Sequence, residues 1–240
     1  MDSAVKGAGA LPYDSGRTVI IACSSLTEYV EEAQHRCGTA LPVIYMDRLY
    51  HRDPGEMRGH IVAALAEKIP EGTDTVLVCM GFCGGSWEGV AAPVRMVLPR
   101  VDDCVSLLLQ TGDTPVSDLK QPGHLYVRAK DPRTESFRRI FEHLTAAVDE
   151  ETKARYHEDW KQLYSHIDIL DTGINGSRRP GYAEAVQQDA DWLNAQVEYV
   201  KGGTYLLEKL LRGDWDSQFL VLTPAEPVTE EQMLLRASAV

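Results

Sequence analysis

The chain has 240 residues, with 24 Lys and Arg against 36 Asp and Glu, giving a formal charge of −12 at neutral pH. No basic patch is concentrated anywhere along it, so the phosphate-neutralising side chains that dominate nucleic-acid affinity are missing. Hydrophobic residues at 44% suffice for one sizeable core, and no apolar run approaches the roughly 20 residues needed to cross a bilayer.

The opening segment, MDSAVKGAGALPYDSG, has neither the basic start nor the apolar centre of a signal peptide, so residues 1–16 read as a flexible lead-in and the location as cytoplasmic. Thr18 to Cys23 is a continuous apolar run, followed by a helical pattern carrying Leu26, Tyr29, Val30 and Ala33. Pro42 to Met46 is a second run. A helix from Glu56 to Ile69 places Ile61, Val62, Leu65 and Ile69 on one face, and Pro70-Glu71-Gly72 stops it. Thr75 to Met80 and Val94 to Leu98 are further strands. Strands apolar on both faces, separated by helices, imply an open, mostly parallel sheet with helices on both sides, a Rossmann-like α/β fold.

The second half reads as mainly polar helix packed on that sheet. His124 to Arg128 adds a strand, and Thr134 to about Ile167 reads as one or two long helices. The loop from Asp171 to Gly181 precedes a helix from Tyr182 to about Asn194, and Gly202-Gly203 opens another that Gly213 closes. Phe219 to Leu222 is a late strand. No linker demands a second domain, so residues 17–226 read as one α/β domain with a helical region about 134–213, and 227–240 as a C-terminal tail. Tyr156, Trp160 and Tyr164 fit a homodimer interface or a packed core equally well.

Five cysteines, an odd number confined to the first 104 residues, read as free thiols rather than a disulfide framework. Cys79 lies inside a strand and Cys37 at a helix end, which suits structural roles. Cys23, Cys83 and Cys104 instead fall at or just after the carboxyl ends of predicted strands, the edge at which open parallel sheets bind ligands. In Gly81-Phe82-Cys83-Gly84-Gly85-Ser86, Gly84 and Gly85 permit close backbone approach, and Ser86 is placed to cap a helix near Trp87. Such a loop can hold an anion or activate the Cys83 thiol. In Pro99-Arg100-Val101-Asp102-Asp103-Cys104, the adjacent carboxylates suit a helix start, a metal or a general base, while Arg100 suits an anionic group.

Three thiolates completed by water or by an imidazole, for which His51 is best placed, make a soft site for zinc or an iron–sulfur cluster. The leading expectation is a metalloprotein, an enzyme with Asp103 as base and Arg100 as anchor for a small-molecule substrate. A metal-free Cys83 nucleophile with loop amides as oxyanion hole is an alternative. The stretch from Asp171 to Gly176 with Ser177, Arg178 and Arg179 could form a lid whose arginines meet a carboxylate or phosphate, or be an exposed helix-to-helix loop. Dinucleotide and P-loop fingerprints are absent.

IACSSLTEYV, GFCGGSWEGV, VLPRVDDCVSLLL and GGTYLLEKLLRGDWDSQFLVLTP, in that order, resemble the prokaryotic family catalogued as domain of unknown function 1638, from about Thr18 to Pro224. Ser24 stands where that family usually has glycine. The resemblance supports Cys23, Cys83, Arg100, Asp102, Asp103 and Cys104, and less firmly His51. It implies a setting of one-carbon or methyl-group metabolism beside corrinoid-dependent methyltransferases. A further alternative is therefore an accessory protein that handles corrinoid or metal for a methyltransferase or corrinoid-protein partner.

Overall fold

In the computed structural model, which describes residues 11–128 and 136–234, Thr18–Cys23 forms strand β1 with all six residues buried. An apolar run with no polar face must be covered on both sides, and this strand lies inside a sheet. Helix α1 (Thr27–Cys37) follows it, ending on Gly38 in the left-handed conformation. Strand β2 (Val43–Met46) leads to α2 (Pro54–Glu67), whose N-terminus is set by Pro54 and by the Asp53 carboxylate accepting from the amides of Gly55 and Glu56. Strands β3 (Thr75–Cys79) and β4 (Arg95–Pro99) complete the first half.

Beyond them run α3 (Cys104–Leu109), β5 (His124–Val127), α4 (Phe137–Leu144), α5 (Glu150–Leu163), β6 (His166–Asp171), α6 (Tyr182–Leu193) and β7 (Gln196–Lys201). The chain ends with α7 (Tyr205–Arg212), β8 (Phe219–Leu222) and the single turn α8 (Glu230–Met233). No described helix is long and apolar enough to cross a membrane.

Contacts divide the chain into two compact units, where one domain is expected from the sequence. The first contains the chain up to Asp103, residues 114–117, and everything from Leu207. Its five-stranded sheet has the order β2-β1-β3-β4-β8. The first four strands are parallel, with Ile20 opposite both Val43 and Leu77, and β8 is an antiparallel edge with Met96 opposite Leu222.

The second unit, residues 104–113 and 118–206, has a parallel sheet of its own in the order β5-β6-β7. Of the one or two helices expected to about Ile167 there are two, the second ending at Leu163, and a strand begins at His166. Along β6 the side chains alternate, so Ile167 and Ile169 join Tyr182, Val186, Ala190 and Leu193 of α6 in the core. Ser136 and Asp149 cap α4 and α5, which separates the predicted long helix into two.

The expected loose ends are partly tied down. Tyr13 is buried and its hydroxyl donates to the Leu211 carbonyl at 2.5 Å. Near the other end, Val228 exchanges backbone bonds with Val90 and Gly89, and Thr229 and Gln232 form a capping box on α8. The remaining parts of the predicted lead-in and tail, residues 1–10 and 235–240, lie outside the described residues.

Candidate functional site

The chain leaves β1 towards β2 on one side, and α2 carries it back across to β3 on the other, so the strand order reverses between β1 and β3. The crevice outside the carboxyl ends at such a reversal is the usual ligand site of an open α/β sheet. Cys23 is the last residue of β1, and Cys83 lies in the loop after β3. Two of the three predicted thiols therefore flank the switch point.

The Cys83 loop is held in an unusual shape. Cys83 has φ +50°, followed by Gly84 at +66° and Gly85 at +90°. Left-handed backbone costs a residue with a Cβ about 1–2 kcal/mol, so Cys83 adopts it only because its surroundings enforce it. The amides of Phe82 and Cys83 donate to the carbonyls of Val101 and Asp102 at 2.9 and 2.6 Å, and Ser86 N donates to Phe82 O at 3.0 Å. Gly81 lies so close to Asp103 that a Cβ there would sit 2.4 Å from the Asp103 Cα. From α2, Arg58 Nη2 donates to the Gly85 carbonyl at 2.7 Å. A charged hydrogen bond of this kind contributes about 1.5–3 kcal/mol, enough to offset the strain at Cys83. Ser86 caps no helix, because the following residues form turns, and its hydroxyl instead donates to the Phe82 carbonyl at 3.0 Å.

These bonds leave the amides of Gly84 and Gly85 without a hydrogen-bond partner among the described residues. Glycine two residues before and two after a nucleophile on a strained turn is the spacing of a nucleophile elbow, in which the next amide stabilises an oxyanion, although here the thiol is buried and turns rather than a helix follow. Gly81, Cys83 and Gly85 have that spacing, and a cleft of about 320 Å³ opens on the Gly84–Gly85 side of the loop, lined by Arg58, Phe82, Gly84, Gly85, Glu88, Asp102, Glu230 and Leu234. Glu88 is engaged there by the amide of Glu230 at 2.6 Å. Arg58 and Glu88 are absent from the sequence reading. Their signal is weak, since each reaches the site from a distant segment or an irregular turn.

The other predicted residues are distributed as follows. Cys23 is buried, its Sγ 3.0 Å from Ser25 Oγ, and Ser24 Oγ accepts from the Arg48 amide at 3.0 Å. His51 is exposed in the short 3-10 turn after β2. Arg100 directs Nε to the Gln232 carbonyl at 2.7 Å and Nη1 to the Ser217 carbonyl at 3.4 Å, and burial draws its pKa below the ordinary arginine value. Asp103 supplies the backbone against which Gly81 packs. Cys104, also buried, opens α3 in the second unit. Cys79 is fully buried within β3, and Cys37 is half-buried at the end of α1, its thiol pKa raised chiefly by burial.

In the loop after β6, Arg178 donates to Asp171 Oδ2 at 2.8 Å and lies 3.8 Å from the Tyr199 ring centre, and Ser177 donates to Asp171 Oδ1. Arg178, with Ser177, holds the Asp171 carboxyl below its usual pKa. Among the described residues no three His, Cys, Asp or Glu side chains are grouped to hold a metal ion, so the donor set does not form a ready-made three-thiolate cage.

Comparison with known proteins finds one family, described as a protein of unknown function (DUF1638), matching residues 45–211. No curated protein and no solved structure matches the chain.

Proposed function

Since the match over more than half of its length makes the chain a member of the DUF1638 family, whose description carries no activity, we propose from the site itself a thiol-dependent enzyme, with Cys83 as nucleophile. The observation that carries this reading is the strained φ of +50° at Cys83, beside the β1/β3 switch point and next to two unpartnered amides. The reaction class is acyl transfer or hydrolysis of a small carbonyl substrate. The Cys83 thiolate adds to the carbonyl carbon, and the π pair moves onto oxygen, where the Gly84 and Gly85 amides stabilise it. Collapse expels the leaving group with a proton, and a second nucleophile, water or an acceptor, releases the acyl group. Asp102, which lines the cleft, is the acid–base group of this reading.

Iodoacetamide at pH 7, followed by mass spectrometry, tests it. Cys83 is expected to be alkylated first among the five cysteines while the protein remains folded, despite its burial. Reaction of Cys83 only on unfolding would mark an inert structural thiol. Near-stoichiometric zinc or iron in anaerobically purified protein, lost on replacing Cys23, Cys83 or Cys104 singly, would instead favour a metal centre built from those three thiolates. Co-purification of a corrinoid or a methyltransferase would favour the accessory role that the family resemblance implies.

A further inference from the structure

The Cys83 loop touches a second element besides the β4 loop. Helix α2 meets it at two points, since a Cβ on Gly84 would lie 3.2 Å from Pro54 Cγ, and Arg58, one turn further on, reaches the Gly85 carbonyl at 2.7 Å. That carbonyl also accepts from the Glu88 amide at 3.0 Å, and the amide of the same peptide, on Ser86, donates to Phe82 O at 3.0 Å. The Gly85–Ser86 peptide is thereby fixed at both ends. The preceding Gly84–Gly85 peptide is flanked by two glycines, which turn over with little steric resistance. Its orientation is inherited from the fixed peptide after it.

Within that set Arg58 is distinctive, because the other bonds are local or come from backbone. Its Nε is buried and has no hydrogen-bond partner among the described residues, while Nη2 bonds the loop and the side chain lines the cleft. Arg58 is half-buried, and a planar guanidinium bonded to one loop carbonyl fixes the orientation of that carbonyl.

We propose that Arg58 is a positioning residue of the Cys83 site: by holding the Gly85 carbonyl, it keeps the Gly84 and Gly85 amides aimed at the position where the substrate's carbonyl oxygen gains charge. The inference rests on the reading of Cys83 as the reacting thiol. Arg58 acts through the loop and need not touch the substrate.

The test compares wild type, Arg58→Ala and Arg58→Lys in the full chain by two measurements, the rate at which p-nitrophenyl acetate acylates Cys83 (read as nitrophenolate release) and the amide resonances of Gly84 and Gly85. Arg58→Ala is expected to slow this acylation by about tenfold or more, the loss of one charged hydrogen bond. It should also shift or broaden both glycine resonances while circular dichroism is unchanged. Millimolar methylguanidinium should restore the rate, which repair of a merely structural defect would not do, and Arg58→Lys should recover part of it. Equal Cys83 rates and unmoved glycine signals in Arg58→Ala would overturn the role of Arg58 while leaving the thiol reading intact. Glycine signals that move with Arg58, in a protein whose Cys83 is inert even in the wild type, would overturn the thiol reading and leave the clamp standing. If Arg58→Ala fails to fold, Arg58→Lys and Arg58→Gln are read by the same two measurements.

Discussion

The amide of Cys83 donates to the carbonyl of Asp102 at 2.6 Å, so the thiol-bearing loop after β3 is bonded directly to the loop after β4. The same pair of loops is joined by Phe82 N to Val101 O at 2.9 Å. Two such bonds between neighbouring loops require the chains to approach more closely than side chains normally permit, and glycine at position 81 makes the approach feasible.

Gly81→Ala is therefore expected to destabilise the protein, because the added methyl would lie 2.4 to 2.7 Å from three backbone atoms of Asp103, which cannot rotate aside. Overpacking of this kind costs about 1–3 kcal/mol. The control is Gly59→Ala, exposed within α2 with nothing within 4 Å of the new methyl. It should raise stability by about 0.5–1 kcal/mol through helix propensity. Urea midpoints of the two variants should move in opposite directions, and an unchanged midpoint for Gly81→Ala would show that the loops part easily.

The carboxyl-edge placement of Cys23 and Cys83 is legible in the sequence because TVIIAC and TVLVC are continuous apolar runs, a local signal that needs no tertiary information. Strands β6 and β7 are not legible in the same way. HIDILD and QVEYVK alternate polar and apolar residues over only six positions, too short a stretch to stand out beside the helices they follow. Arg58 is hidden for another reason: its partner Gly85 lies 27 residues away, and a single arginine in an amphipathic helix carries no mark of what it will reach. Arg100 shows the opposite effect. Its neighbours suggest a ligand, yet its guanidinium spans to Gln232, 132 residues on.

In the second unit, Asp168 on β6 is buried, with one oxygen 2.8 Å from His124 Nδ1 and the other without a partner. His124 in turn stacks on His166, ring centres 4.2 Å apart. Removing the imidazole leaves the buried carboxyl group with only Tyr126 beside it, so His124→Ala should cost about 1–3 kcal/mol. Asp168→Asn keeps a hydrogen-bonding group without the charge and should cost less. In the double variant the His124→Ala penalty should shrink, and a double-mutant cycle by urea denaturation reads the coupling. Simple additivity would mean that His124 serves packing against His166 and not the carboxylate.

Alkaline stability should depend on Tyr13. Its buried hydroxyl donates to the Leu211 carbonyl, and burial, with smaller contributions from Cys37 and Cys79, raises its pKa from 10.0 to about 12. Between those values the unfolded phenol has lost a proton that the folded one retains. The folded state then binds more protons, and stability must fall as pH rises through this window. Two pKa units correspond to about 2–3 kcal/mol, fully present below pH 10 and lost by about pH 12. Tyr13→Phe removes the hydroxyl and its bond, costing about 1 kcal/mol near neutrality, and it should flatten this part of the pH profile. Denaturation midpoints from pH 9 to 12, with phenolate absorbance followed in parallel, check both effects. A wild-type profile no steeper than that of Tyr13→Phe would mean that the phenol ionises without disturbing the fold.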